Sequence, residues 1–305
     1  MYKYIFGPVQ SRRFGLSLGI DLSPEAKSCN FDCLYCELEP ADAVKTIKFP
    51  PLVKDIVKEA KSALLQYSDI DFITITANGE PTLYKDLNLL VDELNKIKKD
   101  KKLLILSNAS NICNQKVFES LKKIDVVKLS LDCATKECFK KIDRPLKSIC
   151  IENIIEGIKK FRKVFNNELI IEILIVKGVN DKKSEMLALG KVLDKIKPDR
   201  IDLGTIDRPP AYSVKGISLE KIKELSQYLG GYNISIVHKS KAEKKVDFSK
   251  PEISSTIIRR PQSQMDVEYL FSEKSKANLN ELIQEGKIVK KIIAGVLFYL
   301  PSSKI

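Results

Sequence analysis

Three cysteines within eight residues are the part of the sequence best suited to chemistry: Cys29, Cys33 and Cys36, in the order Cys-x3-Cys-x2-Cys. A 4Fe–4S cluster usually takes four cysteine thiolates, so three ligands leave one iron open to an outside molecule. A zinc finger needs four ligands and usually histidines, and the only histidine, His238, lies far along the chain. The spacing therefore favours an iron–sulfur cluster with an open iron, and zinc completed by a distant cysteine is the alternative.

Short apolar segments rich in β-branched residues alternate with amphipathic segments along most of the chain. The apolar segments predict strands at 16–22, 71–76, 103–107, 126–131, 169–176 and 200–206. Between them, apolar residues at helical spacing predict helices, as in 87–97 and 151–161. Repeated strand–helix units predict an α/β fold with a parallel sheet and external helices, either a partial barrel or a doubly wound sheet.

Polar residues collect where these strands end. The six predicted strands are followed by segments that contain Asn, Gly, Glu or Asp, at 29–36, 77–84, 107–110, 130–135, 177–181 and 207–212. Any one of these segments could be a simple turn. Because the carboxyl ends of parallel strands meet at one edge of a sheet, the six together predict one shared site.

The cysteine spacing resembles that of the radical S-adenosylmethionine (radical SAM) superfamily. The resemblance implies that Cys29, Cys33 and Cys36 hold a 4Fe–4S cluster, whose fourth iron is chelated by the amino and carboxylate groups of S-adenosylmethionine. An electron from the cluster, supplied by a donor such as flavodoxin or ferredoxin, then cleaves the sulfonium. The resulting 5′-deoxyadenosyl radical abstracts hydrogen from a substrate. The resemblance also implies a partial (β/α)6 barrel.

The resemblance extends to residues at the other strand ends. Asn78, Gly79, Glu80 and Pro81 resemble the glycine-rich segment that binds the methionine amino group, with asparagine in place of the usual first glycine. Tyr35, the aromatic residue before the last cysteine, is expected near the adenine. The remaining residues expected to contact the cofactor are Asn108, Ser130, Asp132, Val179 and Asn180.

A finer resemblance covers the N-terminal segment FGPVQSRRFG, which is similar to the signature of a subgroup related to wyosine synthetases, enzymes that build a tricyclic base on tRNA. Arg12, Arg13 and Arg208 could bind a carboxylate or phosphate of the substrate, because guanidinium groups recognise these anions bidentately. The alternative is that these arginines pair with acids such as Asp21 or Asp207 and close the barrel.

The four remaining cysteines, Cys113, Cys133, Cys138 and Cys150, form no Cys-x2-Cys pair, so we expect buried thiols rather than a second cluster. Cys113 or Cys133 would be the distant ligand in the zinc alternative. The N-terminus lacks the apolar run of a secretory signal, and the longest apolar run is too short to span a bilayer. A cytoplasmic protein with no membrane partner is expected, in which disulfides are disfavoured.

The C-terminal residues differ in character from the rest. Residues 1–238 are predicted to form the barrel, the polar segment 239–252 a linker, and 253–305 a small α+β domain with three helices and a hairpin. This order resembles a winged-helix domain, with the wing turning at Ala294–Gly295.

The charge of the chain leaves two functions open. The net charge of +12 and the lysine-rich segments 96–102 and 239–245 are compatible with an RNA partner such as tRNA. The first function is a radical enzyme that modifies RNA. The second is a radical enzyme for a small molecule or peptide, with the winged helix as a docking or regulatory unit.

Overall fold

The computed structural model describes the chain with short gaps, over residues 2–11, 13–206, 208–236, 245–259, 261–293 and 296–302. Several sequence-based expectations concern residues outside these ranges and are not addressed by the structure: those for Arg12, Asp207, His238 and the turn at Ala294–Gly295.

One sheet of eight strands has the same order in space as along the chain. Its strands are β1 (Ile5–Ser11), β2 (Gly15–Asp21), β3 (Phe72–Thr76), β4 (Lys102–Ser107), β5 (Val126–Ser130), β6 (Glu168–Ile175), β7 (Arg200–Thr205) and β8 (Ile234–Ile236). Strands β2 to β8 are parallel, and β1 pairs antiparallel with β2. The predicted α/β class and parallel sheet are confirmed. The sequence did not predict β1, because Gly7 and Pro8 interrupt its apolar pattern.

Helices connect the parallel strands and cover one face of the sheet. They are α1 (Val53–Gln66), α2 (Leu87–Ile97), α3 (Gln115–Leu121), α4 (Lys136–Ile142), α5 (Ile151–Arg162), α6 (Lys183–Ile196) and α7 (Leu219–Ser226). Alternate residues of each strand point to opposite faces. Leu18 and Ile20 of β2 therefore point toward these helices and join the main core with helix residues such as Leu90 and Ile158. Burying each such side chain contributes about 1.5–3 kcal/mol.

The face of the sheet opposite the helices carries a different set of side chains. Phe14, Leu104, Val126 and Ile170 form a small separate apolar cluster on this face, close to where the strands begin. Lys128 lies two residues beyond Val126 on β5, so it points to the same face, nearer the carboxyl ends. This face is therefore apolar at one end and becomes polar toward the end where the site was predicted.

Two expectations for the cysteines are wrong. Cys133 and Cys138 form a disulfide, because the short turn from β5 into α4 brings their Cα atoms to 5.7 Å. Sequence alone could not show that this turn folds the two residues together. Cys113 is exposed rather than buried, although its thiol donates a hydrogen bond to the carbonyl of Asn153 at 3.2 Å.

The C-terminal residues form a unit with its own core, called here the C-terminal unit (residues 245–302). It contains α8 (Lys250–Arg259), β9 (Gln262–Ser263), α9 (Gln264–Leu270), α10 (Glu273–Gln284), β10 (Ile288–Ile293) and β11 (Val296–Pro301). Its three strands form a small sheet in the order β10–β11–β9. Its buried apolar residues, such as Ile253, Leu279 and Tyr299, form a cluster separate from the main core.

The linker predicted at 239–252 extends too far toward the C-terminus. Phe248 is buried in the core of the C-terminal unit, and α8 already begins at Lys250. Residues 249–252 belong to a helix N-terminus: the backbone N–H and the hydroxyl of Ser249 both donate to Glu252, at 2.8 and 2.7 Å. Residues 239–244 of the predicted linker lie outside the described part of the chain. A polar helix start and a polar linker have similar compositions, so the sequence did not separate them.

The C-terminal unit packs against the edge of the main sheet formed by β1 and β2. Leu16 of β2 packs against its core, and Glu252 of α8 accepts hydrogen bonds from Tyr67 and Gln66 at the end of α1, at 2.5 and 3.1 Å. Within the part of the chain that the structure describes, no helix has the length and apolar character needed to cross a membrane.

Candidate functional site

The three predicted metal-binding cysteines line one cavity of about 190 Å³ at the carboxyl ends of the central strands. The residues predicted to contact the cofactor that also line it are Tyr35, Gly79, Glu80, Asn108 and Ser130. The structure therefore brings together residues from four of the six predicted strand ends. The other lining residues, none of which was predicted to contact the cofactor, are Lys27, Leu38, Thr76, Leu106, Ser107, Lys128 and Glu172.

The loop that carries the cysteines has no regular secondary structure, so backbone hydrogen bonds to other segments hold it. The carbonyl of Cys29 accepts the N–H of Val44 at 2.7 Å, and the N–H of Leu34 donates to Ile142 at 2.8 Å. The carbonyl of Cys36 accepts the N–H of Ala211 at 2.8 Å. Contacts to three separate segments keep the sulfur atoms in place without a helix or strand.

The sulfur atoms have surroundings that suit metal ligands. The Sγ of Cys29 lies 3.5 Å from the donating N–H of Phe31 and 3.7 Å from Nδ2 of Asn108. Such donors stabilise a thiolate bound to iron. Burial raises the pKa of Cys29 to about 12 and holds the pKa of Cys33 well above its usual range. Both thiols are therefore protonated until a cation, such as cluster iron, compensates for burial.

The cysteines supply the donors of a cluster with one open iron. Cys29, Cys33 and Cys36 are free thiols on one loop, and all three line the same cavity. Each thiolate of a 4Fe–4S cluster binds a different iron, so three thiolates leave the fourth iron to another ligand. Among the residues that the structure describes, no group of three Cys, His, Asp or Glu side chains is placed to hold a single metal ion. The donor set therefore fits a 4Fe–4S cluster.

Gly79 joins the loop after β3 to the cysteine loop. Ser28, the residue before the first cysteine, donates its N–H to the carbonyl of Asn78 at 2.8 Å, and its carbonyl accepts the N–H of Glu80 at 2.9 Å. Gly79 lies between these bonds with φ of 140°, and a Cβ there would be 1.9 Å from the Ser28 carbonyl oxygen. Only glycine fits this approach, so the glycine-rich segment and the cysteine loop form one unit.

The carboxylate of Glu80 is turned into the protein. Its Oε1 accepts the hydroxyls of Thr82 and Ser107 at 2.6 and 2.7 Å, and its Oε2 accepts the N–H of Asn108 at 2.7 Å. Burial raises the pKa of Glu80, although these hydrogen bonds favour the charged form. Glu80 therefore ties the loop after β3 to the loop after β4. Direct contact between Glu80 and the cofactor's amino group stays a prediction.

Asp132 and Asn180 are buried hydrogen-bonding groups behind the cavity. The hydroxyl of Tyr35 donates to Asp132 at 2.5 Å, and the N–H of Leu174 donates to Asp132 at 2.6 Å. Burial raises the pKa of Asp132. Asn180 uses its amide on the backbone of Val176 and Leu174, at 2.7 and 2.9 Å. These residues position Tyr35 and the ends of β5 and β6.

The predicted substrate arginines that are described both have acidic partners. The Nε of Arg13 lies 3.3 Å from Asp202, and a second nitrogen lies 3.6 Å from Glu172. Arg208 lies 3.7 Å from Glu37 and 3.4 Å from Asp266. Pairing with acids was the alternative to substrate binding, although Asp202, Glu172, Glu37 and Asp266 are not the acids that were expected. Substrate binding by these arginines stays a prediction.

Lys128 and Glu172 form an ion pair at the base of the cavity. The sequence did not predict this pair. Their charged atoms are 2.6 Å apart, and Lys128 also lies 3.2 Å from Asp202. Arg200 contacts Asp202 on its other side at 2.9 Å. The sequence does contain a signal for this pair, because each of the apolar strands β5, β6 and β7 includes a charged residue. Burying an unpaired charge is unfavourable, so such residues are expected to contact one another.

A second, larger cavity of about 660 Å³ adjoins the first and shares Lys27, Leu38 and Thr76 with it. Its wall includes Asn78 from the glycine-rich segment and Arg259 from the C-terminal unit. This volume is typical of a pocket for an organic ligand. Four residues that were predicted to contact the cofactor line neither of these two cavities of the described chain: Pro81, Asp132, Val179 and Asn180.

Comparison with known proteins identifies a family match and relatives of this chain. Residues 26–189 match the Radical SAM superfamily. A UPF0026 protein of Helicobacter pylori strain J99 is 37% identical over 298 residues, which cover 97% of this chain and 96% of that one. An S-adenosyl-L-methionine-dependent tRNA 4-demethylwyosine synthase of Oryza sativa is 27% identical over 171 residues, 52% of this chain and 25% of that one.

A solved structure shares the fold. Streptococcus suis SuiB bound to S-adenosylmethionine matches with a TM-score of 0.54 and 20% identity, over 75% of this chain and 51% of that one. The superfamily match covers more than half of the chain, and the Helicobacter relative aligns along nearly all of it. The chain therefore belongs to the radical SAM superfamily and, within it, to the UPF0026 family, and is an iron–sulfur enzyme that uses a 4Fe–4S cluster and S-adenosylmethionine.

Proposed function

We propose that Cys29, Cys33 and Cys36 bind the cluster and that the Asn78–Glu80 segment binds S-adenosylmethionine beside it. The observation that carries this proposal is the pair of hydrogen bonds between Ser28 and the Asn78–Glu80 segment, which joins the two binding elements directly. When bound, the reduced cluster supplies the electron that splits S-adenosylmethionine into methionine and a 5′-deoxyadenosyl radical for hydrogen abstraction. A donor such as flavodoxin or ferredoxin would deliver that electron in the cytoplasm.

In this proposal the chain's own residues bind and orient the reactants. Asn108 donates to the Cys29 sulfur and is itself held by Glu80, so the thiolate keeps a fixed hydrogen bond. Tyr35 is fixed by Asp132 and lies along the cavity, where its ring can cover the adenine. The sheet would be a partial (β/α)6 barrel, with the cofactor at the carboxyl ends of its strands.

The larger cavity is proposed to hold the substrate, because it adjoins the cysteine cavity and has the volume for an organic group. Its charged lining residues are balanced in sign: Lys3, Lys27 and Arg259 against Asp21, Glu25 and Glu39. A balanced lining favours a neutral or zwitterionic group over a polyanion. The substrate would be a small molecule, or one residue of a peptide or RNA inserted into the cavity.

RNA remains the second candidate, for two reasons. The tRNA 4-demethylwyosine synthase similarity is distant but covers about half of the chain, 52%. The C-terminal unit is proposed to be a winged helix. It exposes Lys290 and Lys291 on its hairpin strand β10, and Lys287 directly before that strand. Exposed lysines of this kind bind phosphates without reading sequence.

The experiment that tests the cofactor proposal is anaerobic reconstitution followed by iron, sulfide and 5′-deoxyadenosine analysis. The wild type should hold about four irons and four sulfides per chain and should form 5′-deoxyadenosine slowly when reduced. Changing Cys29, Cys33 and Cys36 together to Ala should abolish all three signals. Cys113→Ala is the matched control, because Cys113 is exposed and lies outside the cavity. Iron that survives the triple change would refute the proposal.

A further inference from the structure

Asp21 joins the C-terminal unit to the glycine-rich segment through one carboxylate. Its Oδ1 accepts the N–H of Asn78 at 2.7 Å and the N–H of Ser23 at 3.0 Å. Its Oδ2 accepts Nε of Arg259 at 3.2 Å. Asp21 is 3% exposed, so the carboxylate relies on these protein donors rather than on water.

Arg259 is held in one orientation. It is the last residue of α8, and its guanidinium also donates to the hydroxyl of Ser255, one turn earlier on the same helix. A third nitrogen donates to the carbonyl of Lys3 at 2.6 Å. With all three nitrogens bonded, the position of Arg259 follows the position of α8, and the C-terminal unit therefore determines where the guanidinium meets Asp21.

The peptide group of Asn78 is held on both sides. Asp21 accepts its N–H at 2.7 Å, and its carbonyl accepts the N–H of Ser28 at 2.8 Å and the hydroxyl of Ser23 at 3.0 Å. The Asp21 carboxylate therefore fixes one side of the Asn78–Gly79 backbone, and Ser23 and Ser28 fix the other.

We propose that Arg259 is a positioning residue for S-adenosylmethionine: by pairing with Asp21, it holds the Asn78–Gly79 backbone in the orientation that binds the cofactor. This inference rests on the proposed function of the Asn78–Glu80 segment. Without Arg259, the buried Asp21 charge loses its cation, and an unpaired buried carboxylate is stabilised by moving toward water. That movement loosens its bond to Asn78. The C-terminal unit is then a working part of the cofactor site.

The test measures S-adenosylmethionine binding to reconstituted, full-length protein by equilibrium dialysis, with iron content measured in parallel. Arg259→Gln should raise the dissociation constant about tenfold, slightly less than direct loss of a hydrogen bond to a charged group would cause, and should leave the iron content unchanged. Glu252→Gln is the matched control, because it weakens another contact of α8 with the main sheet's helices and lies away from Asp21. It should change the constant less than twofold.

A double variant tests the route through Asp21. Asn at position 21 still offers an oxygen to the Asn78 N–H but carries no charge that needs a cation, so Asp21→Asn added to Arg259→Gln should restore most of the lost affinity. If Arg259→Gln fails to assemble its cluster, Arg259→Lys replaces it. Lysine keeps the charge but cannot bond all three partners, so the expected loss is intermediate.

The outcomes separate the two proposals. Absence of S-adenosylmethionine binding by the wild type would overturn the proposed function itself. Binding by the wild type with equal binding by the Arg259 variant would overturn only the positioning role. Equal weakening by the Arg259 and Glu252 variants would also overturn it, because general loosening of the C-terminal unit would then explain the effect. Failure of the double variant to recover would rule out Asp21 as the link.

Discussion

Gly79 lies against the backbone of Ser28 so closely that a Cβ on Gly79 would be 1.9 Å from the Ser28 carbonyl oxygen. Gly79→Ala must therefore push apart the glycine-rich segment and the cysteine loop. We expect the variant to lose measurable binding of S-adenosylmethionine, and its iron content should fall because Ser28 directly precedes Cys29. Equilibrium dialysis and iron analysis after anaerobic reconstitution measure both effects.

Gly286→Ala is the matched control for this change. Gly286 also has a positive φ, 69°, but a Cβ there meets no atom within 4 Å. Alanine at this position should cost only backbone strain, about 1 kcal/mol, with normal iron content and cofactor affinity. If the Gly79 and Gly286 variants behaved alike, positive φ and not the contact with Ser28 would explain the requirement for glycine.

The sequence predicted which chain segments meet at one edge of the sheet. The cysteine loop, Asn78–Glu80 and Asn108 each follow a strand that its apolar residues identify, Ser130 ends another, and parallel strands bring such residues to one edge. The same reasoning could not give the direction of each side chain. Asn180 follows β6 as predicted, yet its amide is used on nearby backbone groups.

Contacts between segments far apart in the chain could not be predicted from the sequence. Arg259 and Asp21 are 238 residues apart, and nothing in the composition around either residue identifies its partner. The disulfide between Cys133 and Cys138 depends on the path of one turn, which composition does not specify. Strand β1 escaped prediction for a local reason, since Gly7 and Pro8 are depleted in strands, and its pairing with β2 overrides that preference.

Lys128→Met tests whether the ion cluster at the base of the cavity is a buried network. The ammonium of Lys128, with its side chain 8% exposed, contacts both Glu172 and Asp202. Methionine has a similar shape but no charge, so the carboxylates of Glu172 and Asp202 lose a neighbouring positive charge. This loss should lower the free energy of unfolding by about 3 kcal/mol. Urea unfolding followed by circular dichroism measures the loss.

Lys122→Met provides the comparison, because the side chain of Lys122 is 37% exposed and pairs with Glu119 within one helix turn. Removing an exposed pair should cost at most about 1 kcal/mol. Added salt should reduce the cost of the Lys122 change and leave that of the Lys128 change nearly constant, because buried pairs are screened less. Similar costs for both variants would show that water reaches the Lys128 cluster.

Charge reversal on β10 tests the RNA candidate. Lys290 and Lys291 are exposed on this strand of the C-terminal unit. If they contact phosphates, the wild type should retard total tRNA in a gel at low salt, and the affinity should fall steeply as salt rises. Lys290→Glu with Lys291→Glu should weaken binding and reduce the slope of log affinity against log salt by roughly 0.7–0.9 per lost contact.

The control variant carries the same change of net charge elsewhere, at Lys116→Glu with Lys160→Glu on the exposed surfaces of α3 and α5. If the C-terminal unit delivers RNA, this control should bind nearly as tightly as the wild type, because its reversed charges lie on helices that cover the main sheet. Equal weakening by both variants would mean that RNA responds only to overall charge. If the wild type gives no shift at low salt, the RNA candidate is eliminated and the small-molecule or peptide substrate is the one to pursue.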